Sequence, residues 1–441
     1  MEFPSFQLAA FIPARLGMEI DSACRLTNMV FFYISALLLF LLCRTVVPGS
    51  RIAELSVTIF CWTPFTIYWS SQCLIDFAAV AFALGYTIAL LKWLASPHKI
   101  GWFASALMIG VVAYLTKVTT LAAFLPMIGG FFFVSLSREI GPGAKILSFV
   151  RNRWKFLAGA LLLILLPVLA EHAWVVYSDH VKAGSSYTAW LTSENLADWN
   201  FGSLDQRRTL SNWKLIGDHI GITRSAAVVP LLTLLGILGL RHHDRRSRFF
   251  FLTAVAGIFF AVVLFFNLYL VHEYYLIAVT VPLAIAAGFG ADFLLFGVLR
   301  KYPVALLCVI AFVGHTGLQE IFPKPKDFTL NEYRFARLLR EITAPDELVV
   351  IAERDWNPAI LYHARRRGFM LRGKGFGNER LDEREITRFL KTNGFSVLVT
   401  ASKNHWLTKK WLHRMALPSI PGYFVYRVSD QPISSGPYAT R

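Results

Sequence analysis

Charged residues are scarce in this chain. They make up 16% of its 441 residues against 55% hydrophobic and 15% aromatic, and the mean hydropathy is +0.51. With apolar runs long enough for about 30 Å of hydrocarbon, that balance indicates a polytopic α-helical membrane protein. Acidic residues are rarer than basic ones, 28 against 44, which leaves a net charge of +16. The basic residues concentrate in short connections between apolar runs, where orientation in a bilayer explains them, so nucleic acid is excluded as a partner. Cysteine is also sparse. Cys24, Cys43, Cys61, Cys73 and Cys308 form no CxxC pair and signal neither a zinc site nor a disulfide framework.

What the chain has is about ten candidate transmembrane helices, at about 26–46, 52–68, 77–95, 101–115, 118–136, 156–178, 225–240, 249–266, 275–298 and 303–319. One set of alternate connections holds Arg44, Arg51, Lys92, Lys99, Arg138, Lys145, Arg151, Arg153, Lys155, Arg241, Arg245, Arg246, Arg248, Arg300 and Lys301. The other holds Lys117, Lys182, Arg207, Arg208, Lys214 and Arg224. Fifteen against six makes the first set cytoplasmic and the second periplasmic or its equivalent. Residues 1–25 then lie outside as short amphipathic helices on the interface, and a loop at 179–224 is also outside. An outer start is unusual without a preceding span, so one span and its loop are expected upstream of Met1.

Beyond about 320 the pattern becomes that of a soluble domain. Helical spacing at 331–342 precedes the strand-like LVVIA at 348–352, a second helix at 382–390 precedes FSVLVTA at 395–401, and YFVYRV closes at 423–428. This predicts a small α/β domain over 321–441 on the outer face. RGKGFGNER at 372–380 lacks a GKS or GKT ending and is read as a surface loop.

The crossing count puts Glu2, Asp76, Lys117 and the pair His272-Glu273 on the outer face, all at the ends of apolar spans. An ionisable group there is costly enough to be read as a site. Asp76 would otherwise be a helix N-terminal acid, and Lys117 a snorkelling lysine. Lys117, however, stands where positive charge is scarce, and an ammonium suits a lipid phosphate. Tyr274 and Tyr275 are ordinary belt residues taken alone. Directly after His272-Glu273 they suggest either a divalent metal or a hydrogen-bonded sugar, and both readings stay open. In the long outer loop Trp190, Trp199 and Trp213 interleave with Asn195, Asp198, Asn200 and Arg207, with Trp174, Tyr177 and Asp179 just ahead. That mixture grips sugars, or else forms an interfacial aromatic belt.

EFPSFQ at the start, the Asp-bearing SSQCLIDFAAVAFAL, the Lys-bearing YLTKVTTLAAFLP, HEYYLIAVTVPLA and an outer C-terminal domain together resemble a known group. They are similar to the integral-membrane GT-C glycosyltransferases of the protein O-mannosyltransferase and aminoarabinose lipid A transferase type. The resemblance implies a bacterial inner-membrane enzyme that moves a sugar, with inversion, from a polyprenyl phosphate to a lipid, glycan or protein acceptor. It implies that Glu2 lies near the active site, that Asp76 is an active-site acid, that Lys117 contacts the donor phosphate, and that Tyr274 and Tyr275 line the lipid-phosphate side. His272, Glu273, Trp190, Trp199 and Asn200 are the candidate sugar or acceptor contacts. No organic cofactor is implied, and a divalent metal stays open.

The family carries a further acid, commonly assigned as the base, in a first outer loop that here would precede Met1. An inactive homologue is therefore one alternative. A transporter or flippase of lipid-linked sugar is another, which would show inverted repeats and mid-span polar residues.

Overall fold

A computed structural model of the chain describes residues 2–140, 146–184, 188–222, 228–298, 301–302, 330–352, 358–371, 383–400, 412–415 and 422–428, with isolated positions at 304, 308, 311 and 315. It divides into two compact units, Met1–Lys324 and Pro325–Arg441. The expected RGKGFGNER loop and almost all of the expected span 303–319 lie outside the described residues.

The first unit is a helical membrane bundle. Among the described residues six helices are long and apolar enough to cross a bilayer: Ile20–Val46, Asp76–Ala95, Ile100–Ser137, Arg153–Ala183, Arg245–Leu264 and Glu273–Val298. Helix α1 (Ser5–Arg15) precedes α2 (Ile20–Val46). The expected second interfacial helix is the first turns of α2, reached through Gly17 at a φ of 94°.

The expected span 52–68 is broken into α3 (Ile52–Trp62) and α4 (Pro64–Ser70). Thr63 between them is extended, at φ −66° and ψ 122°. The ring of Pro64 disfavours the helical region for the residue before it, so the break sits where the sequence requires it. Of the expected span 225–240 the described residues form the twelve-residue α12 (Val228–Gly239) and a closing 3₁₀ turn.

Helix α5 (Asp76–Ala95) is the centre of the bundle, with 78% of its apolar window buried, whereas the span Arg153–Ala183 has 17% buried and faces lipid. The position of α5 explains why its first residue, Asp76, is enclosed.

The segment Ile100–Ser137 is not one crossing. Lys117 interrupts α6 (Ile100–Leu121) with φ −168° and ψ 94°. On the approach, Phe103 meets the Trp93 ring, Gly110 meets Tyr86, and Lys117 meets Asp76, so the chain climbs α5 backwards. Past the break, Ala123 lies against Gly257 and Phe131 against Phe249, so the chain descends along α13 (Arg245–Leu264) away from the site. Two crossings thus meet at Lys117, the carbonyl oxygen of Ala123 being so close to Gly257 that a Cβ there would stand 2.1 Å from it. Small residues at such helix contacts let backbones approach where lipid offers no hydrophobic drive.

Among its described residues the second unit carries five strands, β1 (Leu348–Ala352), β2 (Gly368–Leu371), β3 (Phe395–Thr400), β4 (Leu412–Arg414) and β5 (Phe424–Val428), in the order β2-β1-β3-β5-β4. β1 is parallel to β2 and β3, and β5 is antiparallel to β3 and β4. The helix Leu330–Ile342 buries Phe335 and Leu339 against Val349, Ile351, Val397 and Val399, and Phe335 stacks on Tyr423 at 4.1 Å.

Candidate active site

Three elements converge at the Lys117 turn. Ser5 Oγ and Thr116 Oγ1 are 2.7 Å apart, and the Phe3 N–H donates to the Leu115 carbonyl at 3.2 Å, which fixes the N-terminal segment over the turn. Glu2 is thereby aimed at Lys117. The Lys117 ammonium donates to Asp76 Oδ1 at 2.8 Å and lies 3.8 Å from Glu2 Oε1. It also stands over the rings of Tyr275 and Tyr274, at 4.6 and 5.4 Å from their centroids.

The two carboxylates differ in their access to water. Asp76 is 1% exposed and Lys117 7%, while the Glu2 side chain is 47% exposed. Asp76 Oδ2 is buried and accepts no hydrogen bond from the described residues. A buried ammonium and carboxylate are tolerable only together, since each alone would carry the full desolvation penalty. Glu2 lies outside the spans. Crowding by the protein on its inner side raises its carboxyl above the ordinary carboxylate range; Lys117 opposes that shift and the charge of Asp76 adds to it.

The aromatic wall is continuous. Tyr274 and Tyr275 stack at 4.7 Å, His272 stacks on Tyr274 at 5.2 Å, and Trp199 meets the His272 ring at 5.9 Å. Tyr274 and Tyr275 are on the 3₁₀ turn Glu273–Leu276, which His272 immediately precedes, and Trp199 is on the short helix Ala197–Phe201 of the 179–224 loop. Asn267 links them by donating to the Trp199 carbonyl at 2.8 Å. The structure thus brings together Glu2, Asp76, Lys117, Tyr274, Tyr275, His272 and Trp199, with Glu273 adjacent in the turn. Asn200 follows Trp199 in its short helix, half-buried. Trp190 is on the turn Ala189–Leu191, which is held to the end of the Arg153–Ala183 span: Asp179 accepts from the Ser193 backbone at 3.1 and 3.0 Å.

Part of the expected sugar-gripping mixture has other work. Arg207 donates to the carbonyls of Phe201, Gly202, Ser203, Val263 and Leu264. Asn195 donates to the Ala189 carbonyl and Trp213 Nε1 to the Arg207 carbonyl. These groups fold the loop and fasten it to α13. Composition cannot separate a side chain that binds hydroxyls from one that binds carbonyls, because both need the same donors.

Two residues escape the sequence reading. Trp69 packs edge-on against Tyr274 at 6.1 Å, and Asn28, wholly buried in α2, donates to the carbonyls of Trp69, Ser70 and Gln72. The signal for Asn28 was an amide within an apolar run. Among the described residues no group of three or more His, Cys, Asp or Glu side chains is placed to hold a metal ion.

No protein-family model matches the chain, and no match was found among curated proteins at the level of sequence. Among solved structures it is similar to ArnT from Cupriavidus metallidurans bound to undecaprenyl phosphate, with a TM-score of 0.58 and 13% identity over 97% of this chain and 87% of that one. The apo structure of the same protein gives a TM-score of 0.57 and 14% identity over the same shares. The likeness establishes the fold, a multi-pass helical membrane architecture.

Proposed function

We propose that this chain is a glycosyltransferase that takes a sugar from a polyprenyl-phosphate donor and passes it to a hydroxyl-bearing acceptor on the extracytoplasmic face of the membrane. The observation that carries this reading is the enclosed Lys117 ammonium, held by Asp76 and walled by Tyr274 and Tyr275, at the outer end of an apolar bundle. A phosphate whose lipid tail stays in the bilayer meets a fixed cation there, beside ring faces that stack on a sugar. The fold neighbour's bound undecaprenyl phosphate is a ligand of the same chemistry.

The two carboxylates take different roles in this reading. Asp76 holds Lys117 in place and keeps Oδ2 for a substrate hydroxyl or ammonium. Glu2, half exposed and with a raised pKa, is the general base. In the transfer the acceptor O–H gives its proton to Glu2 as the new bond to the sugar C1 forms. The bond from C1 to the phosphate oxygen breaks on the opposite side, and the released phosphate keeps its electron pair against Lys117. His272 and Trp199 would line the sugar. The basic bias of the connections supports an extracytoplasmic position for this face.

The test uses the full-length protein in lipid nanodiscs, supplied with polyprenyl-phosphate hexoses and pentoses and a mixed acceptor extract, with release of polyprenyl phosphate measured. Release that disappears in Lys117→Ala supports the reading. Equal binding of polyprenyl phosphate by wild type and Lys117→Ala, both correctly inserted, would sink it.

A further inference from the structure

The loop ahead of Asp76 is bound to the outer end of α2 by a set of polar contacts. Asn28 Nδ2 donates to the carbonyls of Trp69, Ser70 and Gln72 at 2.8, 3.1 and 2.8 Å. Arg25 Nη1 donates to the Ser71 carbonyl at 2.9 Å, while its Nε pairs with Asp21 at 2.8 Å. This fastens 69–72 one turn from Cys24, and the next residue along the loop is Cys73. Cys73, exposed, neighbours Cys24, half-buried. Burial, then the neighbouring Cys24 sulfur, push the Cys73 thiol up to about 12.

We infer that Cys24 and Cys73 are the two halves of a disulfide on the outer face of the membrane, which ties the loop three residues ahead of Asp76 to α2. The inference shares only the sidedness of the functional reading and is independent of the sugar transfer. The cysteine spacing signals no disulfide framework, and this pairing is invisible to it: two cysteines far apart in the chain, sharing no spacing motif, become neighbours once the 69–73 segment folds onto α2. The Arg25 and Asn28 bonds to the Ser71 and Gln72 carbonyls hold the loop beside the turn of α2 that carries Cys24, the close backbone approach that a disulfide requires.

The bridge needs an oxidant, and the reagent is an external disulfide, which an extracytoplasmic compartment supplies. A thiolate from one cysteine attacks a sulfur of that disulfide, forming a mixed disulfide and expelling one thiolate. The second cysteine loses its proton and attacks the mixed disulfide, which closes the bridge and expels the other thiolate. Two cysteine thiols are oxidised and the external disulfide is reduced to two thiols. The consequence is a covalent lock on the connection that leads into α5, and so on the backbone that carries Asp76.

The experiment counts thiols. Membranes carrying the full-length protein are quenched in acid, denatured, and treated with a maleimide polymer before or after reduction. Of the five cysteines, three are expected to react before reduction and all five after it, and each of Cys24→Ser and Cys73→Ser is expected to give four in both conditions. Five reactive thiols in the unreduced wild type overturn the proposal. Treating the purified, reduced and folded protein with oxidised glutathione then locates the error: closure there means that this face is not in an oxidising compartment, and no closure means that the sulfurs do not come within bonding reach. Neither result bears on whether sugar is transferred.

Discussion

Lys117 Nζ lies 2.8 Å from Asp76 Oδ1, and both side chains are almost closed to water. Removing one member strands the other's charge, a loss of about 3–5 kcal/mol for buried pairs. Asp76→Asn and Lys117→Met are each expected to lower the unfolding temperature of the detergent-solubilised protein. The double variant Asp76→Leu/Lys117→Met replaces the pair with apolar volume and is expected to recover most of that loss while remaining inactive. A double variant destabilised by the full sum of the singles would show that the pair is not coupled.

Glu2 approaches the same ammonium from the water side, at 3.8 Å. As the proposed base it acts only when ionised, so the rate falls as pH drops through its raised pKa. The acid limb of kcat/KM is therefore expected above the ordinary carboxylate value of about 4.3. Because the Asp76 charge contributes to raising Glu2, Asp76→Asn is expected to move the limb of its residual activity to lower pH. Glu2→Gln is expected to reduce kcat by at least about 100-fold, with little change in the binding of polyprenyl phosphate. An unshifted limb in Asp76→Asn would remove Glu2 from the role of base.

Asp76 and Lys117 are legible in the sequence because an ionisable group at the end of an apolar run is costly wherever it lands, and a crossing count alone puts the two on one face. Their direct pairing is not legible, because it depends on the reversal at Lys117, a single extended residue inside a run that is apolar on both sides. The Thr63–Pro64 break could have been read, since the proline is in plain view. The short β2 and β4 strands could not, because three or four residues leave too little alternation to register. In the 179–224 loop the aromatic and amide pattern points to a sugar surface; Trp199 joins the His272 wall through its ring, while Arg207 and Asn195 serve backbone carbonyls.

Arg207 gathers five carbonyls from its own loop and from the end of α13, and its guanidinium lies 5.5 Å from the Phe266 ring centroid. A planar fork of donors can do this and an ammonium cannot. Arg207→Lys is therefore expected to behave as a loss of function for the loop. Protease cleavage between 197 and 209 should rise several-fold in intact membranes, with the helical spans unaffected. If Arg207→Lys resists protease as wild type does, the clamp is not what holds Trp199 in place.

In the second unit, Arg427 Nη1 donates to Glu347 Oε1 at 2.6 Å across the turn into β1. Burial works against the Glu347 charge, but the Ala344 N–H, the Arg427 guanidinium and the Ser396 hydroxyl outweigh it, so the folded pKa is depressed. The sign follows from linkage: a carboxyl whose pKa is lower in the folded state contributes stability that is fully present above its unfolded value, about 4.3, and is lost as pH falls through the folded value. Arg427 is partly exposed, so solvent screening reduces the size of this term and leaves its direction. Hydrogen-exchange protection of Leu348–Ala352 in the full chain, corrected for intrinsic rates, is expected to fall on acidification below about pH 4. Glu347→Gln should lower protection at neutral pH and flatten that acid dependence. Equal acid sensitivity in wild type and Glu347→Gln would assign the transition to other carboxyls.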